Sequence, residues 1–201
     1  MKVAISLLLV AIFLLIAPVP PAYASPTEEV KRVVDEVLRI VSDPELKRPQ
    51  KEPQRRKALK SAIGSIFDYN EMAQRSLATH WKGRTEAERK EFAGLFETLL
   101  ENSYSAKIES YKNEKIVYLK ETIDEKYAEV KSKVIVPKGD EYALDYRLMQ
   151  KGGKWMVYDV VIEGVSLVSN YRGQFNRIIN NQGYPELLKK LRTKSVEIKA
   201  P

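Results

Sequence analysis

His80 is the only histidine in the chain, and it is the first residue to weigh for chemistry. It stands beside Trp81 where a helical pattern ends, and an imidazole near the last carbonyls of a helix is favourable there on charge grounds alone. A catalytic or metal-binding role needs partners at ligand spacing, and none accompany it. The chain has no cysteine, which removes thiolate catalysis, cysteine-held metals and disulfides together. No phosphate-cradling glycine loop, dinucleotide-binding glycine turn or nucleophile elbow occurs. These residues imply no catalytic group, no metal and no cofactor.

Asp159 is the one carboxylate whose setting invites a chemical reading. It sits inside Trp155-Met156-Val157-Tyr158-Asp159-Val160-Val161-Ile162, an otherwise apolar strand in which a carboxylate is partly buried and its proton affinity altered. In one reading it is a general base in a cone-shaped pocket. In the other it pairs with a cation such as Arg172, or accepts a hydrogen bond, and fixes the strand against the C-terminal helix. No second acid or oxyanion donor set can be named beside it, which favours the structural role. Tyr104, Tyr111, Tyr142, Tyr146, Tyr158 and Tyr171 pose a similar question, since all fall on faces that point inward. As core residues they need partners for their hydroxyls; at the mouth of an apolar cavity they have an apolar body inside and a wet tip outside.

The elements that hold these residues follow from period and punctuation. Met1-Lys2 and the apolar run Val3 to Ala17, followed by Ala22-Tyr23-Ala24, have the form of a secretory leader cleaved after Ala24. Residues 25–201 then make one domain, with no room for two comfortable ones. The charge is +7 and Lys2 alone is lost with the leader, so the exported chain stays basic. Export argues against nucleic acid as a partner and leaves anionic membranes or acidic proteins.

Ser25 and Glu28 form a capping box with Pro26 at the first helical position, and Val30, Val33, Val34, Val37, Leu38 and Val41 follow at helical spacing. Asp43-Pro44 ends that helix. A second helical stretch carries Leu59, Ile63, Ile66 and Phe67. Asp68 caps a third that ends near His80-Trp81 and Gly83, and Thr85 with Glu88 opens the longest, whose stripe runs from Phe92 to Tyr111. After Asn113 the period becomes 2. Strands follow over 116–122, 128–136, 142–148 and 155–162, the last three joined through Pro137-Lys138-Gly139-Asp140 and Gly152-Gly153 as an antiparallel meander. Leu167 to Ile179 restores the helical period up to Gly183, and Pro185 starts a last short helix. The class is α+β, an antiparallel curved sheet of about four strands with helices packed on it.

Phe67-Asp68, His80-Trp81, Glu91-Phe92 to Leu100 with Tyr104, the run from Trp155 to Leu167, Asn170-Tyr171-Arg172 and Gln174-Phe175 together resemble the MlaC family. These are the periplasmic phospholipid-binding components of the Mla transport system, also called the toluene-tolerance auxiliary family. The likeness covers nearly the whole chain after the leader. Two departures, Gly94 inside the long helix and the short charged linker from Pro44 to Pro53, bear on partner contacts more than on lipid binding.

The resemblance implies a monomeric periplasmic carrier, not an enzyme, whose sheet and helices enclose an apolar pocket for acyl chains. It implies shuttling of phospholipid between an outer-membrane lipoprotein, MlaA with a porin, and the MCE-domain subunit MlaD of an inner-membrane ABC transporter, with no nucleic-acid partner. The expected lining comprises Val130, Val134, Tyr142, Leu144, Tyr146, Trp155 and Val157 from the sheet. Leu99, Tyr104 and Ile108 join from the long helix, and Val165, Val168, Tyr171 and Phe175 from the C-terminal one. A one-residue error in register would exchange Trp155 and Val157 for Met156 and Tyr158. An enzyme of the same cone shape using Asp159, and an interaction protein with a filled core, remain the alternatives.

Overall fold

The computed structural model describes residues 24–193; the leader expected over residues 1–24 lies outside them, Ala24 excepted. Helix α1 spans Pro26–Ser42. The Ser25 hydroxyl accepts from the Glu28 N–H at 3.2 Å and the Glu28 carboxylate accepts from the Ser25 N–H at 2.8 Å, so two donors at the helix start are satisfied reciprocally. A 3₁₀ turn, Pro49–Lys51, leads into α2, Glu52–Gly64.

The apolar pattern of α2 continues through Ile66 and Phe67, but the helix does not. Val157 donates its N–H to the Ile66 carbonyl at 2.7 Å and its carbonyl receives the Asp68 N–H at 2.8 Å, so the segment pairs with an open strand edge instead of extending the helix. Helix α3 follows at Tyr69–Leu77, with the Asp68 side chain accepting from the Glu71 N–H at 3.1 Å. Ala78, at φ +48°, separates it from α4, Thr79–Lys82. The single helix expected up to His80-Trp81 is therefore two. Helix α5, Glu86–Glu109, begins with the capping box of Thr85 and Glu88.

Strands β1 (Lys115–Asp124), β2 (Tyr127–Ile135), β3 (Glu141–Lys151), β4 (Lys154–Ile162) and β5 (Val165–Ser166) form one sheet in that order, every pair antiparallel. The sheet is curved and does not close. Gly152 and Gly153, at φ +56° and +76°, make the tight turn between β3 and β4 that a side chain would strain. Beyond the four expected strands, β5 is a two-residue return that pairs with the end of β4.

In β4, Asp159 faces Arg147 and Val157 faces Leu148. Tyr158 is thus an extra residue, a bulge that changes the phase of the strand. Trp155 and Val157 point to the concave face before it, and Val160 continues that face after it. Helices α6 (Leu167–Gln182) and α7 (Tyr184–Arg192) end the described chain, with Gly183 at φ +85° between them.

Two large apolar cores result, beside a smaller cluster of Ile40 and Val41 of α1 with Leu59 of α2. Helices α3, α5, α6 and α7 share one, centred on Phe92, Phe96, Tyr171 and Phe175. Its rings meet edge to face, Phe96 with Tyr171 at 5.2 Å and 88° and Phe92 with Phe175 at 5.6 Å and 85°, the geometry the ring quadrupoles favour. The other joins the concave face of the sheet to Val30 and Val33 of α1.

Candidate functional site

Between the sheet and the helices lies a cavity of about 910 Å³. Helix α1 contributes Val33, Val34, Val37, Leu38 and Val41, and α2 contributes Leu59 and Ile63. Leu100, Tyr104 and Ile108 come from the C-terminal half of α5. Ile116, Val134, Tyr142, Leu144, Tyr146, Val160 and Ile162 make the floor from β1 to β4. Deep in the cavity the wall is aliphatic and aromatic; the charged residues Arg56, Lys57, Lys60, Glu101, Lys107, Glu109, Glu114 and Glu163 belong to α2, the end of α5 and the sheet margin.

Tyr104 and Tyr146 bring hydroxyls to the cavity wall. Burial pushes the Tyr146 and Tyr104 hydroxyls up from their ordinary proton affinity, which keeps them uncharged near neutrality. The buried hydroxyls of Tyr104, Tyr118 and Tyr171 lack a well-formed hydrogen bond among the described residues.

Helix α2 closes one side of the hollow and is tied to α5 by ion pairs. Arg55 bonds Glu109 at 2.8 Å, with both side chains less than a fifth exposed, and Lys60 reaches Glu97 at 2.9 Å and Glu101 at 2.7 Å.

The residues expected to line a pocket divide between four places. Tyr104, Ile108, Val134, Tyr142, Leu144 and Tyr146 are on the cavity wall. Leu99, Val168, Tyr171 and Phe175 belong to the aromatic helical core, because α6 turns its apolar stripe toward α3 and α5. Val130, Trp155 and Val157 are buried in the sheet core with Val30 and Val33. Val165, in β5, is 42% exposed.

Sequence reasoning missed the contribution of α1 and α2, and of Phe67, Tyr69 and Met72, to the wall. The valine stripe of α1 was the available signal, since its spacing marks a buried face without saying against what.

Asp159 is 3% exposed and is not on the wall. Its carboxylate accepts from the Ser166 hydroxyl at 2.6 Å, the Val168 N–H at 3.1 Å and Arg147 Nη1 at 3.2 Å. It thereby fixes β4 to the start of α6. Arg147, from the neighbouring strand, is the cation, not Arg172, whose Nε donates to the Arg75 carbonyl at 3.0 Å. Asp68, also buried, caps α3 and meets Lys151 Nζ at 2.6 Å. His80 Nε2 lies 2.9 Å from the Asn176 side-chain oxygen. Among the described residues no group of three or more histidines and carboxylates is placed to hold a metal.

A curved, unclosed sheet with helices over its concave face and an oily hollow between them defines a cavity-bearing α+β domain suited to an apolar ligand. The chain belongs to the MlaC protein family, whose model matches residues 31–193. It is 30% identical over 120 residues to the intermembrane phospholipid transport system binding protein MlaC of Haemophilus influenzae, a match covering 57% of this chain and 56% of that relative. It thus spans little more than half the length of that relative. A phospholipid-binding protein from Ralstonia solanacearum, solved in complex with a phospholipid, shares the fold with a TM-score of 0.76 and 27% identity, over 87% of this chain and 98% of that one.

Proposed function

We propose that this protein is a periplasmic carrier that holds a phospholipid by its acyl chains in the cavity and passes it between the outer- and inner-membrane Mla complexes. The observation that carries the reading is the hollow itself: about 910 Å³ walled by α1, α5 and the concave face of the sheet. A methylene fills about the 30 Å³ share of a liquid water, so the space suits some thirty methylenes, the two chains of one diacyl lipid. Each buried methylene is worth about 0.8 kcal/mol, so a single chain of about 14 contributes roughly 11 kcal/mol before ordering costs. Acyl burial decides affinity, and no catalytic group is required.

Family membership and the lipid-bound relative support the same reading. The fixed role of Asp159, away from the wall, supports a binding protein over an enzyme. The outer-membrane partner is MlaA with its porin, the inner-membrane partner is MlaD, and the carrier works as a monomer behind a cleaved leader.

Organic extraction of the purified full-length protein, followed by mass spectrometry, tests this. Near-stoichiometric diacyl phospholipid is expected. A folded protein that yields no lipid and takes up none from vesicles ends the proposal.

A further inference from the structure

Lys57 of α2 and Lys107 of α5 are exposed residues on the cavity wall, and so mark its rim. Every carboxylate on that wall already has a cation or an N–H donor beside it. Glu101 has Lys60 at 2.7 Å, Glu109 has Arg55 at 2.8 Å and Arg56 at 3.7 Å, Glu114 accepts from the Lys112 N–H at 2.6 Å, and Glu163 accepts from the Ala143 N–H. Lys60 is taken up by these pairs, and Arg56 is held more closely by Glu52 at 3.0 Å. Lys57 and Lys107 have no carboxylate partner among the described residues; the Lys107 ammonium lies over the Tyr104 ring, 5.7 Å from its centre.

The rim is therefore polarised. Its uncompensated positive charge is on α2 and the end of α5, while the sheet strands add no cation to the wall and Glu114 and Glu163 flank their margin. An acyl chain in the hollow brings its own phosphate to the mouth at high local concentration.

We propose that Lys57 and Lys107 seat the phosphate diester of the bound lipid, turning its head group toward α2 and the end of α5 and away from Glu114 and Glu163. The seat selects lipids that carry a phosphate over neutral diacyl lipids of equal chain length. This rests on the carrier reading.

The test is competitive uptake by the delipidated full chain of phosphatidylglycerol against diacylglycerol with matched chains. Two exposed contacts of this kind give a preference of roughly fivefold to tenfold at low salt, reduced at high salt. The double variant Lys57→Gln/Lys107→Gln should bring the preference to within about twofold while still taking up both lipids. The control Lys47→Gln/Lys51→Gln, which changes lysines off the wall, should leave it intact.

The seat is overturned if the rim variant keeps the full preference or if the control loses as much. Erasure of the preference by millimolar inorganic phosphate would mark a free-anion site and also overturn it. Equal uptake of both lipids by the unaltered protein removes the seat and leaves the carrier standing. Uptake of neither lipid defeats the carrier reading, and the seat with it.

Discussion

Arg147 and Asp159 face one another across β3 and β4, with Nη1 3.2 Å from Oδ2, and the same carboxylate oxygen receives the Ser166 hydroxyl. Its other oxygen takes the Val168 N–H at the first turn of α6. A buried charge is tolerated here because each oxygen has a donor, one of them charged. The carboxylate is a joint between the sheet and the helical half, set on the side of β4 away from the hollow.

Replacing Asp159 with Asn removes the charge and leaves donors imperfectly matched. The expected loss is about 2–3 kcal/mol of stability, seen as a lower urea midpoint with an unchanged slope. Lipid recovered per folded molecule stays as in the unaltered protein. Full stability with loss of lipid would reverse this assignment.

Leu144→Arg places a cation on the cavity floor opposite α1. A folded variant should co-purify with little or no lipid, as extraction and mass spectrometry would report. Normal recovery would remove Leu144 from the binding surface. Val37→Arg, on the facing helix, should behave alike, since both side chains bound the same space.

Phe96→Ala acts elsewhere. Phe96 is fully buried against Tyr171 and Phe175, and its truncation should cost roughly 3–5 kcal/mol. Thermal unfolding would show the loss. Lipid bound by the remaining folded protein should be unaffected, because Phe96 is not on the cavity wall.

Tyr118 makes an alkaline prediction. Burial, with help from the charge of Asp35, pushes its hydroxyl from 10.0 up to about 12 in the fold. The neutral form is the one the fold accommodates, so its contribution is complete below the unfolded value near pH 10 and is lost as pH rises toward 12. Tyr118→Phe removes this sensitivity and should move the alkaline unfolding midpoint upward. At neutral pH the change should be near neutral or stabilising, because the hydroxyl is buried without a hydrogen-bond partner among the described residues.

Much of the chain's order was legible because local chemistry writes it. The reciprocal caps at Ser25 with Glu28 and Thr85 with Glu88 are short-range, as is the turn at Gly152-Gly153. Partners across the fold were not legible. The stripe Val168, Tyr171, Phe175 has the spacing of a buried face, and spacing cannot distinguish a face against Phe92 and Phe96 from one against a hollow. The same limit hid the role of Val33 and Val37. The bulge at Tyr158 escaped because both phases of β4 are apolar, so alternation gave no mark of the change. Arg147 could have been proposed for Asp159 only with the register of β3 against β4 in hand.

The aromatic assembly of α3, α5, α6 and α7 contributes little to the walls of the hollow, although α5 runs past both. The anchor of the fold and the hold for cargo are thus largely separate compartments. Widening or narrowing the hold, residue by residue along α1 and the sheet floor, can retune which tail lengths are accepted while the interlocked rings keep the molecule upright.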